Sequence, residues 1–240
     1  MMKKINILFI LVAVFSIGNV KADVISFFKD TDIFMKKYVN AGRVNYRDVK
    51  INFTEVESLY REVGVMNLSG SDENTKKAFY LNAYNIIVIY QVSKFYPLKS
   101  PMDQSGFFDR VKYKVAGENI TLNELEIKKI ILKYKDPRIH FALACGAISC
   151  PELASFAYQP ISLNEQLEAR TKKAINDPEF IQVSSVKNTV KISEIFKWYQ
   201  RDFTTNGGTV MEFINQYRIS PIPNKFKLEY YEYNWNLNEM

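Results

Sequence analysis

The sequence predicts a helix-rich α+β fold in one domain, on three observations. Apolar residues recur at the i, i+3, i+4 spacing of amphipathic helices in several separate stretches. Two further stretches alternate about turn residues in the manner of antiparallel hairpins. No Pro/Ser-rich linker, low-complexity run or internal repeat divides the chain. With 47% hydrophobic residues, including 17 Phe and 15 Tyr, a large shared core is available. The sheet is expected to be small and antiparallel, with helices packed against it.

The chain opens with "MMKKINILFILVAVFSIGNVKAD": two lysines, an apolar run and a small-residue ending. This is the build of a cleavable secretory signal, with the cut expected after Ala22. Residues 1–22 are therefore read as the leader and residues 23–240 as the domain, in a periplasmic or secreted protein. The apolar run is too short for a membrane span, so no integral membrane segment is expected after cleavage. Cleavage removes Lys3, Lys4 and Lys21 and no acid, so the formal charge falls from +6 to +3. The remaining basic residues are interleaved with acids, as in "NELEIKKIILKYKD", which suits a solvated helix face and argues against a nucleic-acid partner.

A first helix is expected over residues 24–39, with Phe27, Phe28, Phe34 and Tyr38 on its apolar side. "AGRVNYRDVK" breaks that period at Gly42 and reads as a short extended segment. A second helix is expected over residues 54–66, ahead of the polar loop "NLSGSDENT". Residues 76–97 are apolar on every face, as in a central helix surrounded by others, and Pro97 stops them. Asn82 and Asn85 share one face of that helix and must find partners, so they are either ties to a loop or part of a polar site. "VKYKVAGENITL" reads as a hairpin about Ala116 and Gly117, and Thr121 with Glu124 as a capping box for a helix carrying Ile127, Ile130, Ile131 and Tyr134. Ser162 with Glu165 repeats the box ahead of Leu163, Leu167 and Ala174. Residues 180–193 read as strand, Lys-Asn turn and strand. Ser193 caps "EIFKWYQRDF", Val210, Phe213, Ile214 and Tyr217 mark one more helix, and "KFKLEYYEYNW" alternates like a strand.

The chemistry-bearing residues crowd into "KDPRIHFALACGAISCPELASFAY". It holds both cysteines, Cys145 and Cys150, and the chain's one histidine, His140. Ser149 and Glu152 are spaced as a capping box with Pro151 in the first turn, which predicts a helix from about Cys150 to Tyr158. Amides at a helix start stabilise a thiolate and lower its pKa. Papain-like and transglutaminase-like enzymes place their nucleophile in this way, and that is the arrangement expected of the fold. Cys150 is then the candidate nucleophile and His140 its base. Asn82, Asn85, Glu126 and Asp136 are eligible to orient His140, with Asn85 favoured as an amide inside an apolar helix. Asn82, Arg138 and Cys145 are the candidate binding residues beside them.

Blander readings compete with this one. Cys145 and Cys150 are separated by a gap that a disulfide can bridge, and such a bond would silence Cys150. Cys145 and His140 each also fit an apolar core. No cofactor or metal is expected, because zinc-ligand spacing, a Walker loop, Rossmann glycines and a Gly-x-Ser-x-Gly elbow are all missing from the sequence.

"GRVNYRDVK", "KAFYLNAYN", "DPRIHFALACGAISCPEL", "ISEIFKWYQRDF" and "YNWNLN", in this order, resemble the domain of unknown function family 547 over nearly the whole mature chain. The resemblance implies a core built of the His140–Cys150 block and the helix bearing Asn82 and Asn85. Members commonly carry Phe-Trp-Ile-Asn where this chain has Phe79-Tyr80-Leu81-Asn82, changes that keep bulk and leave the Asn in place. No activity comes with the family. Two functions follow from the residues: a thiol-dependent hydrolase or acyltransferase acting on an amide, ester or thioester of a small molecule or peptide, or a non-catalytic binding or structural module with a Cys145–Cys150 disulfide. A redox protein cycling the two cysteines is weaker, since the Cys-x-x-Cys spacing is missing.

Overall fold

The computed structural model describes residues 23–240, and the leader and cut expected at residues 1–22 lie outside them. Asp23 accepts a hydrogen bond from the Ile25 amide and opens α1 (Val24–Tyr38), which turns Phe27, Phe28, Phe34 and Tyr38 inward as their spacing predicts. "AGRVNYRDVK" is not one extended segment. Strands β1 (Val39–Asn40) and β2 (Arg43–Val44) form a short hairpin about Ala41 and Gly42, both at positive φ. Asn45 then accepts from the Asp48 amide and caps α2 (Tyr46–Ile51). A side-chain acceptor for the orphan amides of a first turn makes a helix there the better solution.

After α3 (Phe53–Val65), Asp72 accepts from the Thr75 amide and starts the central helix α4 (Glu73–Phe95). Every residue of α4 from Leu81 to Ser93 is buried. Helices α1, α2 and α3 pack around it. Strands β3 (Lys112–Val115) and β4 (Glu118–Thr121) pair antiparallel about Ala116 and Gly117, whose positive φ values give the turn the twist that hairpins prefer. Thr121 and Glu124 then close the expected capping box. The helical run that follows is continuous but not uniform. A regular first turn, α5 (Leu122–Glu124), leads into a π-helical stretch, Leu125–Ile131, and ends in α6 (Leu132–Tyr134).

The second half begins with α7 (Leu163–Asn176). Ser162 makes no side-chain cap there, so the expected box with Glu165 is not formed, and the tight turn Pro160–Ser162 leads in instead. Strands β5 (Ile181–Ser184) and β6 (Thr189–Ile192) pair antiparallel as expected. The Ser193 hydroxyl accepts from the Ile195 amide ahead of α8 (Ile195–Trp198), which is followed by α9 (Gln200–Phe203) and α10 (Val210–Tyr217). The last strand, β7 (Lys227–Tyr230), joins β6 in parallel, with Thr189 opposite Lys227. The helices between β6 and β7 supply the long crossover that a parallel pairing needs. The result is a helix-rich α+β protein with small, mainly antiparallel sheets. No helix among the described residues is long and apolar enough to cross a membrane.

Buried side chains gather in two adjoining cores. One surrounds α4, and the other is built from Phe180, Val190, Ile192, Phe196, Phe203, Phe213 and their neighbours. Ile139, Ala142, Leu143 and Ala144 belong to the first core, whereas Phe141 and Ala147 belong to the second. The stretch carrying His140 and both cysteines is therefore the seam between them.

Candidate functional site

His140 sits in a tight 3₁₀ turn, Pro137–Phe141, that Asp136 caps by accepting from the Arg138 amide. His140 is 5% exposed and its imidazole points at α9, where its Nε2 lies 2.8 Å from Asp202 Oδ2. Its ring packs on Tyr199 at 4.2 Å between centroids and on Phe203 at 5.1 Å. Tyr199, Asp202 and Phe203 come from one short run, so a single turn of chain supplies both faces of the imidazole's seat. The Tyr199 hydroxyl donates to Glu126 Oε1 at 2.6 Å, and Glu126 stands on the π-helical stretch. Burial, reinforced by the Glu126 charge, pushes the Tyr199 phenol far above its ordinary range, so it stays a donor.

The two sulfurs are joined in a Cys145–Cys150 disulfide, with the Cα atoms 6.3 Å apart. Gly146 turns the chain inside this small ring at φ +82°, and a Cβ there would stand 3.2 Å from Pro101 Cγ. Cys150 Sγ accepts from the Cys145 amide at 2.9 Å and from the Tyr233 hydroxyl at 3.1 Å, and the same hydroxyl is 3.2 Å from Cys145 Sγ. The expected helix under Cys150 is not formed, and with it goes the papain-like helix-start arrangement. Its would-be box is pulled apart. The Ser149 hydroxyl accepts from the Asn234 amide, the Ser149 amide donates to the Asn234 carbonyl, and Glu152 pairs with Lys173.

The Asn residues of α4 also take a different part from the one expected of Asn85. Asn85 donates to the Ala142 carbonyl at 2.9 Å and accepts from the Ala144 amide at 3.0 Å, so both ends of its amide are engaged by the loop and neither reaches His140. Asn82 does the same for Tyr158, at 2.8 and 2.9 Å. Arg138 holds Asp136 with two nitrogens, at 3.0 and 2.9 Å, and Lys77 reaches the same carboxylate at 2.6 Å. Burial alone would raise the Asp136 pKa, but the bonds from Arg138 and Lys77 outweigh it and hold the carboxyl at about 2. Asp136 is thus an anchor of the turn before His140, and Arg138 belongs to that anchor.

His140, Cys145 and Cys150 all line one cleft of about 670 Å3. Glu126, Tyr199 and Tyr233 line it too, and Phe108, Trp198 and Trp235 add aromatic surface. Trp198, Tyr233 and Trp235 touch one another, with centroids 4.8 to 6.1 Å apart, and Trp198 is 47% exposed at the rim. The arrangement offers a carboxylate-held imidazole, two sulfurs and several phenolic donors around one opening. That is a set able to move a proton and to attack a carbonyl once a thiol is free.

Residues 68–175 match the family described as "Protein of unknown function, DUF547". This segment belongs to the DUF547 family. It carries Asn82, Asn85, Glu126, His140 and both cysteines, while Tyr199, Asp202 and Tyr233 lie beyond the matched DUF547 residues. No curated protein and no solved structure matches the chain. Asp202 and Tyr233 are, with Tyr199, site residues that sequence reasoning missed. All three stand inside the quoted motifs "ISEIFKWYQRDF" and "YNWNLN", so the signal was a polar residue embedded in an aromatic-rich motif far from the cysteine block.

Proposed function

We propose that the protein is a thiol-dependent hydrolase or acyltransferase acting on an amide, ester or thioester of a small molecule or peptide. Cys150 is the nucleophile and His140 its base, and the Cys145–Cys150 disulfide is the resting state. The observation that carries this reading is the 2.8 Å contact between His140 Nε2 and Asp202 Oδ2 in the cleft that both cysteines line. With Nε2–H engaged by the carboxylate, the tautomer assigned from this bond leaves the basic lone pair on Nδ1. Cys150 is preferred over Cys145 because two donors converge on its sulfur, and such bonds favour a thiolate.

A dithiol reductant opens the disulfide, becoming oxidised to its own disulfide as two thiols form. His140 takes the Cys150 proton, and the sulfur attacks the carbonyl carbon. The tetrahedral adduct expels the leaving group, which takes the proton back from the imidazolium. Water, or an acceptor amine or alcohol, then releases the acyl group by the reverse path. Asp202 steadies the imidazolium. Export, with cleavage after Ala22, belongs to the same proposal, since an oxidising compartment maintains the closed disulfide. Intact mass of the exported protein, with and without reductant, tests the cut and the bond together.

Cys145→Ser leaves a free Cys150 without reductant. Its iodoacetamide reactivity should rise with a midpoint well under the ordinary thiol value of about 8.5. Asp202→Asn and His140→Gln should each move that midpoint back towards it. An ordinary midpoint that neither change alters would overturn the proposal. It would favour the second reading, a binding module with a structural disulfide, which the closed sulfur pair and the half-exposed Trp198 over the cleft support.

A further inference from the structure

We infer that a second cleft, on the other face of the disulfide loop, is an oxyanion site centred on Arg170, built for the carboxylate or phosphate group of a small ligand. This cleft of about 540 Å3 is walled by the loop from Ala147 to Glu152, by α7 and by the chain entering β5. Arg170, on α7, is 7% exposed. One of its nitrogens donates to the Glu152 carbonyl, while its Nε is buried and has no partner among the described residues. No carboxylate among the described residues lies within ion-pair distance of it. The buried Tyr158 phenol lies against the guanidinium without closing a well-formed hydrogen bond. Burial pushes its pKa up to about 12 despite the pull of Arg170, so it is neutral and cannot balance the charge.

A guanidinium cannot shed its proton, so burial leaves Arg170 charged and short of a counter-ion. Its planar fork matches the two oxygens of a carboxylate or phosphate. Arg43 adds positive charge at the opening, and Lys173 is engaged by Glu152. The carboxylates that share the cleft are engaged or peripheral: Glu152 pairs with Lys173, Asp177 accepts from the Glu179 amide, and Glu179 is exposed at the rim. The volume suits a small molecule or one peptide side chain rather than a polymer. This inference does not depend on the thiol reading, because none of the groups it uses takes part in that chemistry.

Calorimetric titration of the whole chain at low ionic strength, with inorganic phosphate and separately with succinate, tests it. One saturable site is expected for at least one anion, and the tighter of the two identifies the source of the oxyanion. Arg170→Gln should weaken binding about ten-fold or more, and Arg170→Lys by less, since it keeps the charge and loses the fork. Because Arg170 also holds the Glu152 carbonyl, Lys173→Met and Arg43→Ser serve as rim variants that leave that bond in place, and each should weaken binding several-fold. Trp198→Ala, in the first cleft, should leave the affinity unchanged. The inference is overturned if neither anion saturates, if the Arg170 and rim variants bind as the parent does, or if Trp198→Ala weakens binding as much as Arg170→Gln.

Discussion

Helix α4 and the stretch from Ala142 to Gln159 are both largely buried, yet they satisfy their backbones in opposite ways. The helix closes its own hydrogen bonds and presents side chains on every face. The stretch has almost no regular structure and depends on others for its bonds. Asn85 serves Ala142 and Ala144, Asn82 serves both groups of Tyr158, Asp32 accepts from the Ala157 amide and Arg170 donates to the Glu152 carbonyl. The C-terminal segment adds main-chain bonds to Gly146 and Ile148. A buried coil is tenable only where rigid neighbours supply such partners, because each unpaired buried group costs about 1 to 3 kcal/mol. The buried amides of α4 are thus the means by which an irregular loop that carries a disulfide is held in the cleft that His140 also lines.

The sharpest way to break this dependence is Asn85→Ala. It leaves one buried carbonyl and one buried amide unpaired and should cost about 4 kcal/mol in chemical denaturation. Asn82→Ala should cost a similar amount. The two differ in where the damage falls: Asn85→Ala should also change the rate at which the Cys145–Cys150 bond is reduced, whereas Asn82→Ala, acting at Tyr158, should not. Costs below about 1 kcal/mol for both would show that the coil does not rely on the helix.

The next effect concerns the entry to the stretch. Asp136 joins Lys77 of α4 to Arg138 and caps the turn that carries His140. Its carboxyl is held at about 2 against an ordinary 3.8. A depressed folded-state pKa adds stability that is fully present above the unfolded value and fades as pH falls through the folded one. Asp136→Asn should therefore lose about 2 kcal/mol at pH 6. The parent should lose the same stability between about pH 4 and pH 2, so that the two denaturation curves converge in acid. Curves that stay parallel down to pH 2 would remove Asp136 from the anchor.

The same contrast explains what could be read from sequence. Helix α4 was legible because a long run apolar on all faces has one good solution, and the β3–β4 hairpin because Ala116-Gly117 sits between alternating strands. That His140, Cys145 and Cys150 share one cleft was legible because the three lie close in the chain. The local pattern at Ser149, Cys150, Pro151 and Glu152 misled, since capping-box spacing is a weak preference that tertiary partners override. Here Asn234 takes Ser149, and Lys173 takes Glu152. Asp202 was missed for a different reason. It lies 62 residues from His140, and nothing periodic announces such a contact.

Removing the disulfide by replacing both cysteines with Ser tests whether the loop is held by the sulfur bond or by its borrowed partners. Closing so short a ring, with a sequence separation of 5, restrains the unfolded chain only modestly. The loss should be about 2 kcal/mol, below that of Asn85→Ala. If it exceeds the Asn85 effect, the covalent ring and not the amide clamp defines the loop.

The smallest stability effect is expected at Tyr233, where structure and chemistry separate most cleanly. Its hydroxyl points at both sulfurs, at 3.2 and 3.1 Å. Sulfur in a disulfide is a weak acceptor, so Tyr233→Phe should change stability by no more than about 1 kcal/mol. A thiolate is a far better acceptor, and burial, with Tyr231 and Glu126 adding to it, pushes the Tyr233 phenol far above its ordinary range, so the proton stays available to donate. In the Cys145→Ser background, Tyr233→Phe should therefore raise the midpoint of Cys150 alkylation while thermal unfolding barely moves. A change in unfolding without a change in the midpoint would make Tyr233 a packing residue of the second core, and the choice of Cys150 as nucleophile would lose one of its two supporting bonds.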